Sequence, residues 1–165
     1  MKQRCFWVTE SKLYKDYHDL EWGTPVYDDE TLFEFLVLET FQAGLSWITI
    51  LNKRENFRKA FDNFDYQKIA RYDETKVQSL LQDAGIIRNK LKVRATISNA
   101  IAFMEVQKEF GSFSKYIWGF VDGKPINNSL KSKEEVLPNT PLSDTISKDL
   151  KKRGFKFVGS TVVYA

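Results

Sequence analysis

The chain has 165 residues, of which 42% are hydrophobic and 28% charged, with a net charge of +3. That length suits one domain spanning 1–165 with a full hydrophobic core, and that balance excludes a disordered chain. The single cysteine, Cys5, excludes an internal disulfide; no apolar signal core opens the chain and no run approaches a membrane span, so the expected location is cytoplasmic, with no membrane partner.

Tyr14 and Tyr17, three residues apart, share a face if their segment is helical. Asp28 and Asp29 can cap a helix running to about Phe41, after which Gly44 and Ser46 supply a break and a new cap. The helix that follows reaches about Phe61, with Ile48, Leu51, Ala60, Phe61 and Phe64 approximating an apolar face and Lys53, Arg54, Glu55, Arg58 and Lys59 on the wet side. A short helix follows Asp65. Asp73 caps another, with Val77, Leu80 and Leu81 inward and Gly85 just past its end.

The spacing of Val93, Ile97, Ala100, Ile101 and Met104 predicts a helix from Asn89 to about Val106. Ser112 can cap a helix that stops at Gly123, Ser132 with Glu135 makes a capping-box pattern ended by Pro138, and a further helix from about Ser143 ends at Gly154. The tail Phe155–Ala165 reads either as loop or as the opening of a last helix. No two-residue alternation persists, so the predicted fold is all-α.

Three groups of residues carry chemistry. Glu39 is a lone carboxylate among apolar neighbours, which costs free energy unless it is paired, solvated or completed by a ligand. With the aromatics Trp7, Tyr14, Tyr17, Trp22 and Trp47 it would build a cleft of flat walls and one negative charge, suited to a flat cation or an amino-bearing heterocycle. Taken singly, each aromatic is also explained by core packing.

The second group is a hairpin in the element about 74–106, where Leu80–Lys90 joins two apolar-faced helices through Gly85, Ile86 and Ile87. Its turn amides and helix N-terminus can receive a DNA phosphate, with Arg88, Lys90, Lys92 and Arg94 adding positive charge. A plain αα-corner with a solvated basic face explains the same residues. Charge is unevenly spread: residues 1–80 hold 11 Lys/Arg against 14 Asp/Glu, and 81–165 hold 14 against 8. The basic half is the one that contains most of the hairpin. The third group is Cys5 and His18, the one cysteine and the one histidine, too few ligands for a metal site by themselves.

Together and in this order, these segments resemble the 3-methyladenine DNA glycosylase I family. The resemblance is carried by Arg4-Cys5-Phe6-Trp7, Tyr14-Lys15-Asp16-Tyr17-His18-Asp19, Glu21-Trp22-Gly23, Gln42-Ala43-Gly44-Leu45-Ser46-Trp47-Ile48-Thr49, Lys53-Arg54-Glu55-Asn56-Phe57-Arg58, Asp83-Ala84-Gly85-Ile86-Ile87-Arg88 and the stretch from Leu150 to Gly159. It implies an all-helical helix-hairpin-helix DNA glycosylase that removes 3-methyladenine from alkylated double-stranded DNA in base excision repair. Glu39 and Tyr17 would hydrogen-bond the extruded base, with Tyr14 beside them, Trp47 stacked on it, and Trp7 and Trp22 walling the pocket. Gly44 and Leu45 would lie where the duplex is wedged open, and the hairpin with Gly85, Ile87, Arg88 and Lys90 would grip the backbone.

The resemblance implies no cofactor for the chemistry, free 3-methyladenine as a ligand, and a monomer. It also implies a structural zinc held by Cys5, His18 and two ligands from residues beyond the position of Ala165. The C-terminal end is therefore expected to be truncated, or the zinc absent, with Cys5 and His18 a half-site only. The alternative function is a non-catalytic helix-hairpin-helix DNA-binding module.

Overall fold

The protein is described here, over residues 2–165, by a computed structural model. Among the described residues there are nine α-helices, two single 3-10 turns and no strand. The helices are α1 (Lys12–Leu20), α2 (Asp29–Gln42), α3 (Trp47–Ala60), α4 (Tyr66–Ile69), α5 (Glu74–Gln82), α6 (Lys90–Phe110), α7 (Phe113–Gly119), α8 (Pro141–Lys152) and α9 (Ser160–Tyr164). Most starts are written into the chain as side-chain caps. Asp28 accepts from the Thr31 amide, Asp73 from Lys76, Asn89 from Lys92 and Ser112 from Lys115, each satisfying an N–H that the helix itself leaves unbonded. The tail resolves as a helix, α9.

Several local expectations need correction. α8 begins at Pro141, because Thr140 and Ser143 form a reciprocal capping box there and proline fits the first helical position. Ser132 makes no cap: the Glu135 carboxylate instead accepts from the Lys131 amide, leaving only a 3-10 turn at Lys133–Glu135. Ser46 precedes α3, but its hydroxyl pairs with Thr49 Oγ1 at 2.7 Å rather than with a backbone amide. α6 runs on to Phe110, and Ile101 points outward at 49% exposure.

The long α6 is the axis against which α2, α4, α5 and α7 pack. Its inward residues Val93, Ala100, Phe103 and Val106 are fully buried or nearly so. Two aromatic nests fill the space beside it. Phe103 meets Phe33 (5.1 Å between ring centres), Tyr66 (5.0 Å) and Phe113 (4.4 Å). Phe41 meets Phe57 (4.8 Å) and Phe61 (5.9 Å), locking the end of α2 to α3. Several polar groups in the interior are tied to backbone. The Asp29 carboxylate accepts from the amides of Phe113 and Ser114 and so caps α7. Asn99, 1% exposed, donates to the Lys156 carbonyl at 3.0 Å and accepts from its amide at 2.8 Å, holding the non-helical run 155–158 across α6.

The two nests account for seven of the aromatic residues by core packing alone. Phe103→Ala should cost about 3–5 kcal/mol, the usual range for emptying a closely packed aromatic site, read as a lower urea midpoint at unchanged slope.

Candidate functional site

The candidate site lies where α1, the C-terminal half of α2 and the start of α3 meet. Helical spacing places Tyr14 and Tyr17 on the inner face of α1, at 6% and 7% exposure. Trp47 opens α3 and is 8% exposed; its ring centre is 5.4 Å from that of Tyr17. Trp7 arrives from the N-terminal segment, 5.1 Å from Tyr14, 6.4 Å from Tyr17 and 5.4 Å from Trp22. Trp22, half exposed, stacks on His18 at 5.3 Å. Five of the aromatics singled out in the sequence therefore form one contiguous group.

Glu39 joins this group through Tyr17. Burial pushes the Tyr17 hydroxyl well above its ordinary range, and the neighbouring negative charge of Glu39 pushes it further. Burial also raises the Glu39 carboxyl to about 7. Its Oε2 is fully buried and has no hydrogen-bond partner, as are Trp47 Nε1 and Thr40 Oγ1. Such atoms are uncommon in folded proteins because each carries an uncompensated desolvation cost. Among the described residues these three are the complete set, and all belong to residues 39–47. Two open grooves elsewhere lack any such atom: one of about 370 Å³ includes Val26, Trp118 and Val121, the other of about 390 Å³ includes Phe110, Tyr116 and Arg153. Unpaired polar atoms beside flat rings make the Glu39 neighbourhood the candidate site.

Ion pairs outside the cleft hold its walls. Arg54 of α3 makes a two-pronged pair with Glu21 at the end of α1 (2.7 and 2.9 Å). Arg4 grips Asp19 through Nε and Nη2, the latter at 2.7 Å, and so keeps Trp7 against α1; with His18 it holds the Asp19 carboxyl well below its ordinary range.

Gly44 and Leu45 occupy the turn between α2 and α3. Gly44 has φ +81°, a left-handed conformation that glycine adopts without strain, and Leu45 is 40% exposed at the tip. The hairpin turn 83–89 joins α5 to α6. A Cβ on Gly85 would sit 3.1 Å from Asn56 Cγ, so glycine there permits close approach to α3. Ile87 is half-buried, while Arg88 and Lys90 are exposed and, among the described residues, make no ion pair. The expected cluster of four basic residues is reduced to these two. Arg94 is paired with Glu74 at 2.7 Å, and Lys92 is buried against α2.

Cys5 and His18 lie together: the Cys5 amide donates to His18 Nε2 at 3.3 Å, and His18 Nδ1 is 2.9 Å from Asp19 Oδ1. A carboxylate on the second ring nitrogen is the arrangement that orients a metal-binding imidazole. Among the described residues no three of His, Cys, Asp and Glu converge, so this pair does not by itself make a tetrahedral site. Thr40 is the residue that sequence reasoning missed, and Lys92 reads from sequence only as one of four basic residues at the hairpin; burial across the fold distinguishes both.

A helical fold in which a part-buried carboxyl and a group of aromatic rings meet between α1, α2 and α3 narrows the class, and comparison with known proteins makes it specific. The sequence model of the methyladenine glycosylase family matches residues 7–165. The DNA-3-methyladenine glycosylase of Haemophilus influenzae is 47% identical over 165 residues, covering 100% of this chain and 89% of its own. DNA-3-methyladenine glycosylase 1 of Escherichia coli K12 is 47% identical over 163 residues, covering 99% and 87%. A crystal structure of 3-methyladenine DNA glycosylase I superposes with a TM-score of 0.95 at 50% identity, covering 98% of this chain and 89% of that one. The Staphylococcus aureus 3-methyladenine DNA glycosylase I, solved for its recognition of 3-methyladenine, gives 0.94 at 35% identity, covering 98% and 86%. The chain belongs to the methyladenine glycosylase family. Among the described residues no helix is long and apolar enough to cross a membrane.

Burial holds the Glu39 proton on in the folded state up to about pH 7, whereas the unfolded chain releases it near 4.5. Folding stability is therefore lost as pH rises between those values. Glu39→Gln removes that loss, so its stability relative to the parent should improve by on the order of 2–3 kcal/mol between pH 4 and pH 8, measured by urea denaturation at each pH.

Proposed function

We propose that this chain is a DNA glycosylase that hydrolyses the bond between 3-methyladenine and deoxyribose in alkylated duplex DNA, acting as a monomer and as one domain. The observation that carries this is the buried, unpartnered carboxylate oxygen of Glu39 on a cluster of aromatic rings. Methylation at N3 gives adenine a positive charge, and cleavage lets the base depart neutral. A planar cation with an amino edge would satisfy the carboxylate, the charge and the rings together.

The flipped base would stack on Trp47 and lie beside Tyr14 and Tyr17, with Trp7 and Trp22 closing the outer wall. Glu39 would accept hydrogen bonds from the amino edge and offset the positive charge. The C1′–N9 electron pair passes to the base, water forms the new bond to C1′, and the water's spare proton leaves to solvent. Because the leaving group is already activated, positioning can supply most of what the enzyme adds. Extruding the base costs unstacking energy, for which Leu45 on its glycine-hinged turn would be the wedge. Gly85, Ile87, Arg88 and Lys90 would hold the strand through backbone amides and charge. Of the ligands of a structural zinc, Cys5 and His18 would be two, with Asp19 orienting the imidazole; the hydrolysis is carried by the pocket residues.

Incubating the chain with methylated duplex and assaying freed base tests the function: released 3-methyladenine supports it, and salt-sensitive binding without release supports a non-catalytic module. If Glu39 acts as its anion, kcat/KM should rise about tenfold per pH unit below 7 and level off above, since it reports the free enzyme. The inflection in kcat should lie lower, because a bound cation favours the ionised carboxylate. Glu39→Gln should flatten both limbs and slow release, and an unchanged rate would remove Glu39 from the mechanism.

A further inference from the structure

Lys92, in the first turn of α6, is 5% exposed, yet its Nζ reaches across the fold to donate to the carbonyl oxygens of Phe41 at 2.8 Å and Ala43 at 2.6 Å. Among the described residues no carboxylate pairs with it, and burial holds its pKa below the ordinary lysine range. A buried ammonium is costly, and here its compensation is the C-terminal end of α2, where carbonyls and the helix dipole present negative charge. Glycine or asparagine in a left-handed cap commonly finishes a helix with no buried charge at all. Closing α2 is therefore not sufficient reason for a lysine at this place.

What the lysine joins is more informative. Ala43 is the last residue before Gly44 and Leu45, so one of the two carbonyls held belongs to the base of the exposed turn. Glu39 lies one helical turn before it and Trp47 opens the helix after it. On the other side, Lys92 is fixed to the hairpin, since its own amide is capped by Asn89 and it lies two residues after Lys90 and four after Arg88. One side chain thus connects the hairpin that bears the free cations to the turn that bears the leucine tip.

We propose that Lys92 is a positioning residue for base release: it fixes the Ala43–Leu45 turn to the hairpin, so that strand grip and stack opening are mechanically joined. The proposal rests on the glycosylase function above. Its signature is a split between two steps. Free 3-methyladenine needs only the pocket, whereas a base in duplex DNA needs the turn and hairpin to act in register.

The test compares Lys92→Met and Lys92→Arg with the parent, using single-turnover release from methylated duplex and fluorescence titration with free 3-methyladenine. For Lys92→Met, release should slow on the order of 10–100-fold, as small misplacements do, while free-base affinity stays within about twofold. Lys92→Arg, which can still donate to both carbonyls, should recover most of the release. If Lys92→Met does not fold, Lys92→Gln, which keeps a donor on a shorter stem, should give the same split. Unchanged release, or release and free-base affinity falling together with no recovery in Lys92→Arg, would overturn the proposal. Failure of the parent itself to free any base would instead overturn the function on which it rests.

Discussion

The structure turns on a carboxyl group with one oxygen shut away from water. Glu39 sits on the inner side of α2 with one oxygen fully enclosed and nothing of the protein's own to bond it. A buried charge is usually paired, and this chain has arginines close by, on α3 and in the N-terminal segment. Arg54 and Arg4 are spent instead on Glu21 and Asp19, at the C-terminal end of α1. The walls are thereby fixed while the floor stays unsatisfied. Stability is given up at one residue and recovered in the frame around it, a distribution typical of sites whose last partner is a ligand.

Tyr17 joins the two halves of the site. Its ring faces Trp47 from α3, and its hydroxyl senses the charge on Glu39 from α2. Neither helix could bring these groups together without α1, whose C-terminal end is held by the ion pairs of Asp19 and Glu21. The N-terminal segment contributes Trp7 to the aromatic group, and four hydrogen bonds, from Arg4 and the Cys5 amide, keep it there.

Much of the fold was legible in the chain because its signals are local. Asp28, Asp73, Asn89 and Ser112 each bond an amide within three residues, so their caps follow from sequence order alone. Ser132 failed because the same short range offered Glu135 a competing amide at Lys131. Ile101 failed because helical spacing gives a stripe but not its width, and the outer edge of α6 meets water. The aromatic cleft could be assembled from residue types, and the family resemblance then ordered it. What could not be read were partners about fifty residues apart. Lys92 among Arg88, Lys90 and Arg94 looks like one more solvated cation; its reach to Phe41 and Ala43 is a property of how α6 crosses α2. Thr40 is hidden because its complete burial depends on packing across the fold and not on its neighbours in sequence.

The Asn99 side chain carries a consequence of a different kind. In a protein whose described residues include no strand, it presents one donor and one acceptor to the main chain of Lys156, much as a neighbouring ladder rung would. The irregular segment bearing Phe155 and Val158 thus gains a fastening to the molecule's spine that no helix geometry offers it. Only a carboxamide holds both hydrogen-bonding roles at that length, since a carboxylate accepts without donating. At this position the chain is specified by the direction of a dipole rather than by volume or hydrophobicity.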